Sequence, residues 1–176
     1  MVITVGKVSK ADLPLGRRLF IDYFIDLYKG LSLSAIGISC PLDVYLNAIF
    51  DKTEIAFNTG DLHASFAYIN DNVAGFTAFE LLEDTHTILI RTLPINLIYK
   101  NKEIAIRSAF IEYACNRFPN IQKTVILVRK ANKSHINLCL QMGFMPCDKI
   151  FETSSYVKKT YNIEYYNSYV LYNHLK

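Results

Sequence analysis

The residues best suited to chemistry in this chain are those of a short basic turn, Tyr99-Lys100-Asn101-Lys102, set between two differently patterned stretches. In front of it His86 to Ile95 alternates like a strand, and behind it an apolar period of a helix runs to about Phe118. A strand that feeds a basic turn at a helix N-terminus is suited to holding phosphate. The first backbone N–H groups of the helix lack intrahelical partners, and the positive end of the helix dipole points the same way. The basic turn and the free N–H groups of the helix start behind it are therefore a candidate anion seat.

The rest of the composition excludes more than it selects. The chain has 176 residues, 51% of them apolar and 20% charged, the profile of one folded domain spanning 1–176. A formal net charge of +3 with no dense basic stripe argues against nucleic acid as a partner. No apolar run reaches the ~18–20 residues that span a bilayer, and Met1-Val2-Ile3-Thr4 does not resemble a signal peptide, so no membrane partner is expected and a cytoplasmic location is. Cys40, Cys115, Cys139 and Cys147 show no CxxC spacing and are read as free thiols of a reducing compartment. His63, His86, His135 and His174 are too scattered for a ligand set, so no metal is assigned.

The elements that must position the turn follow from periodicity. Residues 2–8 form a first strand, and Ser9 with Asp12 resembles a capping box. Leu15, Leu19, Phe20, Tyr23, Phe24 and Leu27 mark a helix that Gly30 ends. Residues 31–40 are a loop, and Pro41 opens a second helix through Phe50. The period then falls to two. Residues 62–69, 73–82 and 86–95 are three meander strands, with Asn70-Asp71-Asn72 and Glu83-Asp84-Thr85 as turns. Pro94, having no N–H, argues for a bulge or splay at the end of the third.

After the helix behind the basic turn, Thr124 to Val128 is a buried strand, parallel to the one before that helix because a crossover helix separates them. Asn132 caps a helix from Ser134 to Met142 that Gly143 stops. Residues 145–152 and 168–174 are the last strands, joined by a tyrosine-rich polar connection over 153–167. The sum is an α+β fold, a mixed and mostly antiparallel sheet of about seven strands flanked by about four helices.

That order, with three local stretches, resembles the GNAT superfamily of acyl-coenzyme A-dependent N-acetyltransferases. Val73-Ala74-Gly75-Phe76 looks like the family's "v-x-G-f" strand. Leu93 to Ala105 looks like its cofactor-binding strand, turn and helix start, and Asn132 through Gly143-Phe144 like its "N-x-x-A-x-x-L-Y-x-x-x-G-F" helix. The resemblance implies a sheet splayed between two parallel central strands, with the pantetheine arm of acetyl-coenzyme A in the splay. Leu93 and Ile95 would pair with that arm, and the pyrophosphate would sit on Lys100, Asn101, Lys102, Glu103, Ile104, Ala105 and Ile106. Asn132 would face the lower part of the cofactor. The acceptor, a primary amine of a small molecule or protein, would approach over the first two helices and the last strands.

The sequence departs from the family's pattern at three points. In the turn Q/R-x-x-G-x-G/A the first glycine is replaced by Glu103, which sets a carboxylate at the phosphate site. Two unit charges ~4 Å apart repel by ~1 kcal/mol in water and ~4 kcal/mol at an effective dielectric of 20. Read as structure alone, Asn101 is an N-cap and Glu103 a first-turn acid that stabilises its helix. Cys139 stands where the family's tyrosine protonates the leaving thiolate, and a thiol could do that work or simply pack inward. Arg91 occupies the place of a frequent glutamate base, leaving Glu80 on the neighbouring strand or His86 at a turn as substitutes. Two functions compete: an acetyl transfer enzyme, and a GNAT-fold binding or interaction module that has lost the chemistry. The 153–167 segment would line the acceptor cleft, form a homodimer interface, or stand as a solvated hairpin.

Overall fold

In a computed structural model the described residues are 2–34, 38–82, 86–129, 132–147 and 168–174. The expected turn at 83–85, the end of the strand expected over 145–152, and the connection 153–167 lie outside them. The element order is β1 (Ile3–Lys7), α1 (Leu13–Tyr28), α2 (Leu42–Thr59), β2 (His63–Ile69), β3 (Asn72–Leu81), β4 (Thr87–Thr92), α3 (Glu103–Arg117), β5 (Lys123–Arg129), α4 (Lys133–Gln141), β6 (Met145–Cys147) and β7 (Ser168–His174). Short 3-10 turns precede α1 and α3. The sheet of the described residues has seven strands in the order β1-β2-β3-β4-β5-β7-β6. Only β4 and β5 pair parallel, as the crossover through α3 requires.

Local chemistry explains most boundaries. α1 buries Leu13, Gly16, Leu19, Phe20 and Tyr23 at helical spacing, and Gly30 takes the left-handed φ of 82° just past its end. Gly16 permits the closest approach, since a Cβ there would lie 2.9 Å from the Phe76 ring. The hairpin from β2 to β3 turns on Asn70 and Asp71, both at positive φ (48° and 64°), the geometry a two-residue turn needs.

The second helix differs from expectation. It continues nine residues beyond Phe50, from Asp51 to Thr59. Asp51, Lys52 and Thr53 look like a boundary, yet Phe50, Thr53 and Ala56 extend the buried stripe at intervals of three. The Thr53 hydroxyl donates back to the Ile49 carbonyl at 3.2 Å, which satisfies it without leaving the helix. Gly60, at φ 86°, is the true stop.

Each face of the sheet carries its own core. Ala64, Phe66, Phe76 and Ala78 pack with Phe20, Leu46 and Phe50 of α1 and α2. Ala67, Ala74, Phe79 and Ile90 pack with Ile106, Phe110 and Ala114 of α3 and with Cys139 and Phe144 at α4. Tyr23 leaves the first helix layer to join this second core. Among the described residues no helix is long and apolar enough to cross a membrane.

Candidate active site

The parallel pair β4–β5 is paired only from Thr87↔Lys123 to Ile90↔Ile126. Past that point the two strands follow different neighbours. β5 stays with β7 as far as Arg129↔Ser168. The chain after β4 stays with β3: Phe76 N–H donates to the Pro94 carbonyl at 2.9 Å and Asn96 N–H to the Ala74 carbonyl at 2.8 Å. Pro94 thus accepts from β3 but, having no N–H, cannot return the reciprocal bond of that pair. Ile95 faces Gly75 across an isolated bridge. Because backbone polar groups alternate along an extended chain, the N–H and C=O of Ile95 point away from β3, into the opening. The side chains of Leu93 (3% exposed) and Ile95 (1%) anchor this edge in the core.

The opening leads to the basic turn, which is a 3-10 helix over Leu97–Lys102. Asn96 caps it, its side chain accepting from Ile98 N–H; Asn101 caps nothing, and Lys102 precedes α3 without a side-chain cap bond. The tighter winding uses donors that a looser loop would leave free. Tyr99 N–H donates to the Asn96 carbonyl at 2.8 Å, and Glu103 N–H donates to the Lys100 carbonyl. The unmatched N–H groups at the start of α3 are therefore reduced to those of Ile104 and Ala105. Ile104 is exposed at its side chain and Ile106 is fully buried. Lys100 is turned onto Asp26 of α1, with Nζ 2.6 Å from the carboxylate.

Glu103 does not turn to open solvent. Its Oε1 accepts from Arg107 Nε at 3.0 Å, from Arg107 Nη2 at 2.7 Å and from the Tyr23 hydroxyl at 2.7 Å. Arg107 Nη2 also donates to the Tyr23 oxygen at 2.6 Å, and Nη1 lies 3.4 Å from His135 Nε2. Arg107 is 1% exposed and lies under α1, α3 and α4 at once. A buried guanidinium needs its charge matched and its donors occupied, and this cluster supplies both. It leaves two marks on neighbouring groups. Burial, then the Arg107 charge, pushes His135 down to about 3, so the imidazole is neutral. Burial likewise drives the Tyr23 phenol well above its usual range, so it stays a neutral donor. Tyr23, Glu103, His135 and Lys100 line a polar cavity of about 320 Å³ together with Ser134 and Asn137. A second, more apolar cavity of about 530 Å³ lies against Ile95, walled by Leu19, Ile25 and Leu97 and by the carboxylates of Asp22 and Asp26.

No protein-family model matches the sequence. No curated protein sequence matches it either. The structure does find similar folds. It is similar over 99% of its length to all of the PaiA N-acetyltransferase of Thermoplasma acidophilum in complex with coenzyme A, with a TM-score of 0.71 at 13% identity. A GNAT-family acetyltransferase of Staphylococcus aureus Mu50 gives 0.64 at 14% identity, covering 99% of this chain and 100% of that one. The dodecameric spermidine N-acetyltransferase of Vibrio cholerae gives 0.60 at 13% identity, covering 98% and 93%. This chain has the GNAT fold.

Within the GNAT fold the remaining expected residues take definite places. Glu80 and Arg91, on adjacent strands, form a buried ion pair at 2.9 Å, with side chains 5% and 7% exposed. Arg91 directly follows Ile90, the last residue of β4 paired to β5, so the ion pair sits at the apex of the opening. Cys139 is 1% exposed in the apolar α3-side core, and burial pushes its thiol up to about 11. Asn132 spends its side-chain oxygen on His135 N–H at 3.1 Å and so caps α4. His86 precedes β4, at the end of the strand away from the opening, with Nδ1 3.0 Å from the Asn120 carbonyl. Among the described residues no group of three or more His, Cys, Asp or Glu stands ready to hold a metal.

Three residues central to the cavity have no functional part in the sequence reading: Tyr23, Arg107 and His135. Arg107 had a signal, being four residues after Glu103 on a helix, the spacing at which opposite charges meet. Tyr23 is indistinguishable from the apolar stripe of α1, and His135 stands alone until α4 folds against α3.

Proposed function

We propose that the chain is an N-acyltransferase that moves an acetyl group from acetyl-coenzyme A to a primary amine of a small molecule or protein. The observation that carries this reading is the opening of β4 from β5 after Ile90 and Ile126, with the backbone of Ile95 turned into it. An extended amide-bearing arm fits such an edge as an added strand would. Leu93 and Ile95 would hold the arm, and Ile104 and Ala105, with Lys100 and Lys102, its phosphates. The residues fit the group at the arm and fit it less closely at the phosphates, where Glu103 brings a carboxylate.

When bound, acetyl-coenzyme A supplies an activated acyl group and a thiolate leaving group. The chain's own contribution is position: the strand edge and the cavity beside Ile95 hold the two reactants in contact, which replaces a bimolecular encounter. Asp22 on the wall of that cavity, Asp26 being held by Lys100, draws a cationic amine to its mouth, where the amine loses its proton to solvent before it enters. Proton transfer by Glu80 would require its carboxylate to leave Arg91, and by Cys139 would require the core to open. The amine therefore enters in its neutral form, and rate rises with the fraction of free base.

A second reading, a GNAT-fold module that binds but does not transfer, is favoured by one specific observation. Glu103 already occupies the cation and the hydroxyl nearest the start of α3. Thermal melting with coenzyme A and acetyl-coenzyme A tests both. At a hundred times Kd a ligand stabilises by ~2.7 kcal/mol, about 5–10 °C for a chain of this size. No shift at millimolar concentration overturns the transferase reading. A shift with no acetylation of any amine in a diamine, polyamine and lysyl-peptide panel favours the module.

A further inference from the structure

The polar cavity between α1, α3 and α4 is bordered by a buried donor whose use the fold leaves open. His135 is nine-tenths buried, lines the cavity, and receives an Arg107 hydrogen bond at Nε2. An imidazole nitrogen that accepts carries no proton, so in the neutral ring the proton is on Nδ1. Nδ1–H is then a donor with no protein partner among the described residues, on a side chain that borders the cavity. Two helix N-termini converge at the same place, since Glu103 opens α3 while Ser134 and His135 lie in the first turn of α4. Two positive helix ends and an N–H donor call for an anionic oxygen.

We propose that His135 is a binding residue for the acyl donor, its neutral Nδ1–H donating to a phosphate oxygen. The inference rests on the transferase reading above and adds a residue and a mode of recognition to it. Arg107 is the positioning residue: it fixes the tautomer, and its own charge is absorbed by Glu103, so the anion is met by a neutral donor instead of a second cation. The groups facing His135 are Tyr23 and Asp26 from α1, Lys100 from the turn, Glu103 and Arg107 from α3, and Cys139 on its own helix. Neutral recognition of this kind does not switch near pH 6.5, as recognition by an imidazolium would.

The test uses two substitutions that divide the ring between them. His135→Gln keeps an acceptor near Nε2 for Arg107 and removes the Nδ1 donor; His135→Asn keeps a donor near Nδ1 and removes the contact to Arg107. Calorimetric titration with coenzyme A and with pantetheine, which has no phosphate, is run on the wild-type chain and both variants. The expected result is coenzyme A binding by the wild type, weakened about tenfold or more in His135→Gln and retained in His135→Asn, as loss of a hydrogen bond to a charged group implies. Pantetheine binding is equal in all three, and from pH 5.5 to 7.5 the coenzyme A affinity of the wild type follows that of His135→Asn, which cancels the titration of the ligand's own phosphate at about pH 6. Equal coenzyme A affinity in the wild type and His135→Gln overturns the proposal while leaving the transferase reading intact. So does wild-type affinity that strengthens relative to His135→Asn as pH falls through 6.5. A wild-type chain that binds no coenzyme A removes the transferase reading and this inference together. Melting temperatures of the variants separate folding from binding, because a purely structural His135 would lose stability most in His135→Asn.

Discussion

Glu103 and Arg107, one turn apart at the start of α3, are joined through a single carboxylate oxygen that Arg107 contacts twice, at 2.7 and 3.0 Å. With Arg107 at 1% exposure and the Glu103 side chain at 13%, this is a buried pair. Removing one partner of such a pair leaves the other charge stranded at ~3–5 kcal/mol, while replacing both with apolar groups is often neutral. Glu103→Leu alone is expected to lower stability by that amount, and the Glu103→Leu, Arg107→Met double variant to recover most of it. Urea denaturation of the three variants measures the coupling.

The same carboxylate lines the cavity proposed to hold the phosphates. Glu103→Gln retains an oxygen for Arg107 and Tyr23 but removes the negative charge. Coenzyme A is expected to bind at least about fivefold more tightly to this variant, as a charge repulsion of ~1 kcal/mol or more implies. Calorimetry at two salt concentrations checks it, since the gain must shrink as salt screens the site.

Stability should respond to His135 through pH. Its native pKa, about 3, lies below the 6.5 of the free side chain. The unfolded chain therefore binds a proton that the folded chain refuses as pH falls through 6.5, and stability is present above that value and lost below it. The slope is ~1.4 kcal/mol per unit while only the unfolded state titrates. His63, also held low by burial and then by Arg117 and Lys7, adds in the same direction. Denaturation between pH 7 and 5 should show the slope in the wild-type chain and a reduced slope in His135→Asn.

Gly75 faces Ile95 at the edge of the opening. A Cβ there would lie 3.1 Å from Ile106, from Phe110 and from the Pro94 carbonyl. Overpacking of this kind costs ~1–3 kcal/mol. Gly75→Ala is expected to lose that much stability and to weaken coenzyme A binding as well, because the displaced backbone is the one that turns Ile95 into the opening. An unchanged affinity with lowered stability would separate this packing from the site.

The sequence made the order of elements legible because each boundary had a local cause: Gly30 and Gly143 at left-handed φ, Asn70-Asp71 at a two-residue turn, Asn132 as a cap. Pro94 even located the break in the parallel pair. It misled at α2, where Thr53 looked polar enough to end a helix, and at Asn101, where a 3-10 turn took over the capping. Glu103 was visible as a departure, but its orientation was not. That depended on Tyr23 and Arg107 and so on the packing of α1 against α3, which no local pattern encodes. Glu80 was legible as an acid near the site and Arg91 as a missing base; that they satisfy one another required the β3–β4 register.

The Tyr23 hydroxyl meets Glu103 across 80 residues of chain and Arg107 across 84. The Glu103–Arg107 contact can form as soon as α3 winds, but the phenol can arrive only after the β2–β3–β4 meander has brought α1 and α3 together. Loop-closure entropy of that length must be overcome by sheet formation first. The Tyr23–Glu103–Arg107 cluster is thus expected to form late in folding, and its interactions to slow unfolding more than they speed folding.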